Sequence, residues 1–389
     1  MRGREFEKTF QLKRFSGGFK GHVRTLRWLT TWARARPDKP TRGVVTEDVR
    51  IGRGEEAIPA RRHRPARGQS PRPGWVILHG ATIPGPDHLA IARLAVALAG
   101  AGAVVLVPEV REWRQLRLDP APALAALRLA IEHLSDDPGV RSGGVVLVGT
   151  SFGCPQTLIA AADPALRDRV RGVLGFGTYH SLADTVRFGL TGQFEWRGRT
   201  EYLRPDPYGR WVVASNYLHR IPGYEEAEDV SRALGELATL AGQHGIMSWE
   251  PSSDPFKERV LASVSPGNRG LFRLFAPVAA REPDPILANE LAPLLAEAGR
   301  ATHPGLELRD SLPAGVLPPV RLIHGRHDHL IPFTETLALE RFLRKRADVT
   351  ATVTDLFAHS KGSGRRVARP GEAVRFLAAI RGALGLDGA

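Results

Sequence analysis

Residues 145–153 read Val-Val-Leu-Val-Gly-Thr-Ser-Phe-Gly, and the change of chemistry halfway along this run constrains the fold more than any other feature. Four apolar residues in succession, three of them β-branched, predict a strand buried on both faces. The run stops in the turn Gly149-Thr150-Ser151-Phe152-Gly153, and small residues from Gly153 to Ala162 predict a helix that begins at once. A strand that passes into a helix over so few residues must bend sharply. The residues two positions either side of Ser151 must therefore lack bulk, and both are glycine. Pro155 suits the first helical turn, where a missing N–H has no partner to lose. With 41 glycines in 389 residues, the Gly-x-Ser-x-Gly pattern alone arises by chance about 0.2 times. A structural turn in another parallel α/β fold would use the same residues, so the setting decides.

The setting is an alternation of strands and helices. Apolar runs predict strands over 44–51, 57–63, 75–78, 103–107, 145–148 and 170–175, with helices over 87–99, 121–134 and 153–162. Further strands are expected over 320–325 and 350–357. This rhythm predicts an α/β protein with a mostly parallel central sheet and helices on both faces. Residues 181–315 break it. They carry Phe188, Phe194, Trp196, Tyr202, Tyr208, Trp211, Tyr217, Tyr224 and Trp249, and their periodicity is helical, clearest over 210–218, 227–240 and 286–298. The expected division is a basic N-terminal extension over 1–40, a first core part over 41–180, an inserted helical cap over 181–315 and a second core part over 316–389.

A serine exposed on such a turn sits at the N-terminus of a helix, whose dipole and free N–H groups favour a developing oxyanion. It needs a base and an orienting acid, in the chain order serine, acid, histidine. Val320–Gly325 is followed by Arg326-His327-Asp328-His329, placing Asp328 just past a strand's carboxyl end. His359 follows the last strand in Ala-His-Ser-Lys-Gly. Catalytic groups of open parallel sheets lie at these ends. His359 would take the Ser151 proton, and Asp328 would hold its tautomer. Upstream, Trp75-Val76-Ile77-Leu78 ends in His79-Gly80, so Ala81 or Thr82 can offer a backbone N–H to an oxyanion beside that of Phe152.

On these motifs the chain resembles the α/β-hydrolase superfamily, in its esterase and dienelactone-hydrolase-like part, over 44–180 and 316–389. The resemblance implies a serine hydrolase that cleaves a carboxylic ester or related acyl bond through an acyl-enzyme. The catalytic residues would be Ser151, Asp328 and His359, and the oxyanion hole Ala81 and Phe152. Peptidase, thioesterase or acyltransferase chemistry on the same triad is the alternative. A non-catalytic binding protein of the same fold is a third reading. No cofactor and no metal is implied, and the expected ligand is a small, apolar acyl substrate.

Several residues carry competing readings. Asp184, after the next strand, competes with Asp328 as the triad acid. His324, His327, Asp328 and His329 could together suggest a metal, but no fourth-ligand motif accompanies them. Glu109 and Glu112 read as solvated or structural, His79 as a structural histidine beneath the oxyanion loop, and Cys154 as a small buried filler.

The formal charge of +13 is concentrated at one end. Residues 1–74 hold 19 Lys and Arg against 7 Asp and Glu, whereas the remainder holds 35 against 34. The hydrolase-like part is thus nearly neutral, which argues against nucleic acid as a partner. Arginine outnumbers lysine 47 to 7, as in proteins of high-GC bacterial genomes. Residues 19–36 predict a helix with Phe19, Val23, Leu26, Leu29 and Trp32 on one face among basic residues. Such a helix either docks on the core or gives peripheral membrane contact with anionic lipid. The absence of an apolar h-region argues against a secretory signal, so the expected location is cytoplasmic, with membrane-peripheral placement open. The apolar stretch 88–110 is interrupted by Arg93 and Gly100-Ala101-Gly102, and reads as a core helix turning into a strand.

Overall fold

A computed structural model describes residues 19–36, 39–68, 70–245, 248–356 and 370–388. Eight strands form one sheet: β1 (Val44–Ile51), β2 (Ile58–Pro65), β3 (Gly74–Leu78), β4 (Val104–Pro108), β5 (Val145–Thr150), β6 (Val170–Phe176), β9 (Val320–Gly325) and β10 (Val349–Thr354). A separate hairpin pairs β7 (Gln193–Trp196) with β8 (Arg199–Tyr202). The sheet order is β1-β2-β4-β3-β5-β6-β9-β10. β2 is antiparallel to β1 and β4, and the pairs from β4 through β10 are parallel.

Alternation along the central strands divides the core into two layers. Trp75 and Ile77 of β3, Val105 and Val107 of β4, and Val146 and Val148 of β5 pack with helices Leu89–Gly100 and Pro370–Leu384. Val76 and Leu78, Val104 and Leu106, and Val145 and Leu147 face the opposite layer, with helices Ala121–Ser135, Gly153–Ala162 and Phe333–Leu343. Both faces are covered, which explains why these strands read as unbroken apolar runs.

Between β6 and β9 the chain builds a third cluster, in which Trp211, Tyr217, Leu234, Leu237, Phe272, Phe275 and Leu295 are buried. Its main helices are Leu182–Thr191, Pro207–Tyr217, Glu228–His244, Asp254–Leu261, Arg269–Phe275 and Pro285–Thr302. Helical periodicity correctly anticipated most of this segment but not the β7–β8 hairpin. There Arg197 and Gly198 both take positive φ, 53° and 74°, as a two-residue hairpin turn of the primed type requires.

The amphipathic N-terminal helix, Phe19–Arg34, docks on the core through part of the expected stripe, with Leu29 and Trp32 half-buried against it. Trp28 is buried and stacks on Trp32 at 5.3 Å, with Phe376 beyond, whereas Leu26 is 61% exposed. The rotation follows from Arg24, which is drawn inward to a bidentate pair with buried Asp387 at 2.8 and 2.7 Å. Trp75 donates its indole N–H to the same carboxylate at 2.9 Å. Gly100 lets the two helices approach closely, because a Cβ there would lie 2.3 Å from Thr31 Oγ1. Among the described residues, no helix is long and apolar enough to cross a membrane.

Candidate active site

The turn after β5 has the strain its sequence anticipates. Ser151 takes φ 52°, a left-handed conformation that costs a non-glycine residue free energy and persists only where its surroundings impose it. Two bonds impose it: Ser151 N–H donates to Phe176 O at 2.7 Å, and Ser151 O accepts from Cys154 N–H at 3.1 Å. The flanking glycines are steric necessities. A Cβ on Gly149 would lie 2.3 Å from Cys154 Cα, and one on Gly153 would lie 2.9 Å from His79 O. Cys154 is fully buried, which raises its thiol to about 11 and keeps it protonated and inert.

The oxyanion loop after β3 is held from below by His79. Gly80 O can only accept, so the His79 proton lies on Nδ1, which donates to it at 2.7 Å. Nε2 accepts from Val110 N–H at 3.2 Å. Burial pulls the imidazole down to about 4, so it remains neutral and serves as a strut. Gly80 passes so close to the serine that a Cβ on it would lie 3.3 Å from Ser151 Cβ. Among the described residues, neither Ala81 N–H nor Phe152 N–H has an acceptor. The Phe152 ring is clamped between Trp113, at 5.4 Å, and Tyr179, at 6.0 Å, which fixes the backbone beneath it.

Asp328 lies in the loop after β9 and is 1% exposed. Its Oδ1 accepts from Leu330 N–H at 2.9 Å and Ile331 N–H at 3.1 Å, and its Oδ2 lies 3.3 Å from His324 Nε2. His324 also contacts Ile331 O through Nε2 at 3.0 Å, which places its proton there, and the Thr336 hydroxyl donates to its Nδ1 at 2.6 Å. Asp184, by contrast, lies on the exposed side of the first turn of helix Leu182–Thr191.

The histidines around Asp328 diverge instead of converging. His324 turns into the core. His329 donates through Nδ1 to Arg204 O at 2.7 Å and packs edge-on against Trp249. His327 lies 3.8 Å from Asp355. No group of three potential ligands is arranged for a metal among the described residues. Glu109 pairs with Arg114 at 2.7 Å, and Glu112 lies 3.9 Å from Arg117. His359 lies outside the described residues.

Ser151, Phe152 and Ala81 border one cavity of about 120 Å³ whose wall is overwhelmingly apolar. Leu330 and Ile331, whose amides hold Asp328, form part of that wall, so the acid loop and the serine turn meet at the same cavity. Of the aromatics in the inserted segment, Tyr208 and Tyr217 reach it, joined by Tyr179 from just before that segment. Tyr179 and Tyr217 donate their hydroxyls to Leu306 O and Leu118 O and leave their rings to the cavity. Trp211 turns away and donates to Phe275 O at 2.9 Å. Arg210, read in the sequence only as the start of a helix, also borders the cavity. Nothing in the local pattern marks it, because its neighbours come from distant segments.

No protein-family model matches the chain, and no curated protein does. Among solved structures it is similar to brefeldin A esterase, a bacterial homologue of human hormone sensitive lipase, at 19% identity and TM-score 0.47, covering 95% of this chain and 84% of that one. It is similar to esterase Est22 at 14% identity and TM-score 0.47, covering 95% and 89%. For acylaminoacyl peptidase of Pyrococcus horikoshii the values are 11% and 0.46, covering 89% of this chain and 41% of that one, so the chain spans about two fifths of that peptidase. By its strand order and by the strained serine turn that ends β5, the chain has the α/β-hydrolase fold.

Proposed function

We propose that this chain is a serine hydrolase that cleaves a carboxylic ester of an apolar acyl group. The observation that carries the reading is the placement of Ser151, at φ 52° on a strand–helix turn, against an apolar cavity. Among the described residues, two backbone N–H groups at that cavity have no acceptor. A binding protein has no need of strained backbone at a hydroxyl, nor of unspent donors beside it.

The proposed chemistry gives each of these groups, and His359, a role. Ser151 Oγ attacks the ester carbonyl carbon while His359 accepts its proton. The carbonyl oxygen becomes an oxyanion, to which Ala81 and Phe152 donate. Collapse of this intermediate breaks the acyl C–O bond, and His359 returns the proton to the leaving alcohol. Water, deprotonated by the same histidine, then attacks the acyl-enzyme, releasing the acid and restoring the serine. Asp328 orients His359 throughout. The segment over 181–315 acts as a cap that excludes water and supplies the acyl pocket.

A panel of p-nitrophenyl esters, matched thioesters and matched anilides tests the reading and its bond specificity. Esters are expected to be cleaved fastest, with Ser151→Ala lowering kcat at least about 10⁴-fold. Faster cleavage of the thioesters or anilides would transfer the assignment to a thioesterase or peptidase. A folded wild-type chain inert on every substrate would overturn it.

A further inference from the structure

Helix Leu182–Thr191 turns one face to the cavity beside Ser151, and the middle of that face has no side chain. Leu182, Thr185, Val186 and Gly189 all border the cavity. Residues seven apart on a helix lie within about 20° of each other, so Gly189 points as Leu182 does, between the bearings of Thr185 and Val186. The exposed residues of this helix, Ala183 and Asp184, lie on the other side.

Neither backbone nor packing requires a glycine there. Gly189 takes no positive φ, and the helix ends only at Gly192, whose φ is 72°. Within a helix alanine is favoured over glycine, which loses more backbone freedom on folding. A Cβ on Gly189 would meet no atom within 4 Å beyond the adjacent helix backbone. Gly149 and Gly153 are steric necessities by the same measure, and at Gly209, also on the cavity wall, a Cβ would lie 3.2 Å from Leu330 Cδ2. Gly189 thus supplies open space on the cavity face. That space is distal to the serine. Tyr179 stacks on Phe152, the neighbour of Ser151, and the helix starts three residues later. Gly189 is seven residues beyond that start, about 10 Å along the helix axis.

We infer that Gly189 sets the length of the acyl chain this site accepts, and that its substrates are esters of short-chain aliphatic acids. An apolar cavity of about 150 Å³ holds one benzene, so the 120 Å³ here holds about five carbons beyond the carbonyl, a hexanoyl group. Each methylene up to that length is removed from water against the apolar wall, and the terminal carbons occupy the place a side chain at 189 would fill. Assigning the chain to the acyl side rests on the hydrolase reading above, but the binding it predicts does not require turnover.

The test uses the full chain carrying Ser151→Ala, so that binding is read without hydrolysis. The methyl esters from propanoate to octanoate are titrated calorimetrically. Affinity is expected to rise about fourfold per added carbon as far as hexanoate, and to change within about twofold beyond it. Gly189→Leu on the same background should end the rise near butanoate, weakening hexanoate about tenfold or more relative to propanoate. Gly189→Ala should weaken hexanoate relative to propanoate by about fourfold, one carbon's worth. A rise that continues unbroken to octanoate overturns the inference. So does the same break point in all three chains, undetectable binding of every ester included. Uniform weakening along the series by Gly189→Leu overturns it too, because a distorted helix has no reason to discriminate by length. Should Gly189→Leu fail to fold, Gly189→Ala, which meets no neighbour and favours the helix, still decides. A wild type that cleaves no ester while the series shows the break would remove the hydrolase reading and leave the length limit standing. Ester cleavage without the break would do the reverse.

Discussion

At the scale of single residues, the site is a set of conformations imposed by neighbours. Ser151 holds φ 52° because its N–H and C=O are both committed and both flanking positions are glycine. Asp328 is satisfied on one oxygen by two amides and approached on the other by His324. This pre-organisation favours Asp328 over exposed Asp184 as the orienting acid. Asp328→Asn should therefore lower kcat on a p-nitrophenyl ester by about 10⁴-fold with the fold intact, whereas Asp184→Asn should change it within a few-fold. Comparable losses in the two variants would move the assignment. Ser151, its glycines and Asp328 were legible because their signals are local: a turn between a strand and a helix, and a carboxylate just past a strand. Arg210 was not, since the Phe275 carbonyl to which it donates comes from a distant segment that meets it only in the folded chain.

At the scale of elements, the central strands and their helices were readable because burial on both faces leaves unbroken apolar runs. The two misreadings have physical causes. The β7–β8 hairpin lies in a segment dominated by helices, and its Arg197-Gly198 turn lacks the usual Asn-Gly or Asp-Gly signal. The N-terminal helix was assigned a face that overlaps the docked one only at Leu29 and Trp32, because apolar spacing alone takes no account of Asp387, which lies 363 residues from Arg24 in sequence. That helix is structural in this arrangement, with Trp28 as its main anchor. Trp28→Ala should cost about 3–5 kcal/mol in denaturant unfolding, while Leu26→Ala, on the exposed face, should cost under about 0.5 kcal/mol. Equal costs for the two would refute the docking geometry.

At the scale of the whole molecule, buried titratable groups tie the sheet to the inserted segment and give stability a pH dependence. Glu335 accepts from His180 N–H and Ser181 N–H where the chain leaves the sheet, at 2.9 and 2.8 Å. Burial raises its carboxyl from 4.5 to about 7. Between those values the folded chain holds a proton that the unfolded chain releases, so this group's contribution falls as pH rises through the window. Glu335→Gln should therefore be more stable than wild type above pH 7, by on the order of 3 kcal/mol at most. The advantage should shrink towards pH 4.5, as read from unfolding curves at both pH values. A difference independent of pH would show that Glu335 is ionised in the fold throughout. The sheet, its covering helices and the segment over the cavity all serve to hold one strained serine against an apolar space. The most direct measurement of that claim is labelling with a fluorophosphonate probe, followed by mass spectrometry of the modified peptide. The account predicts stoichiometric modification at Ser151 and none in Ser151→Ala. A folded wild-type chain that stays unlabelled, or is labelled at another residue, would contradict it.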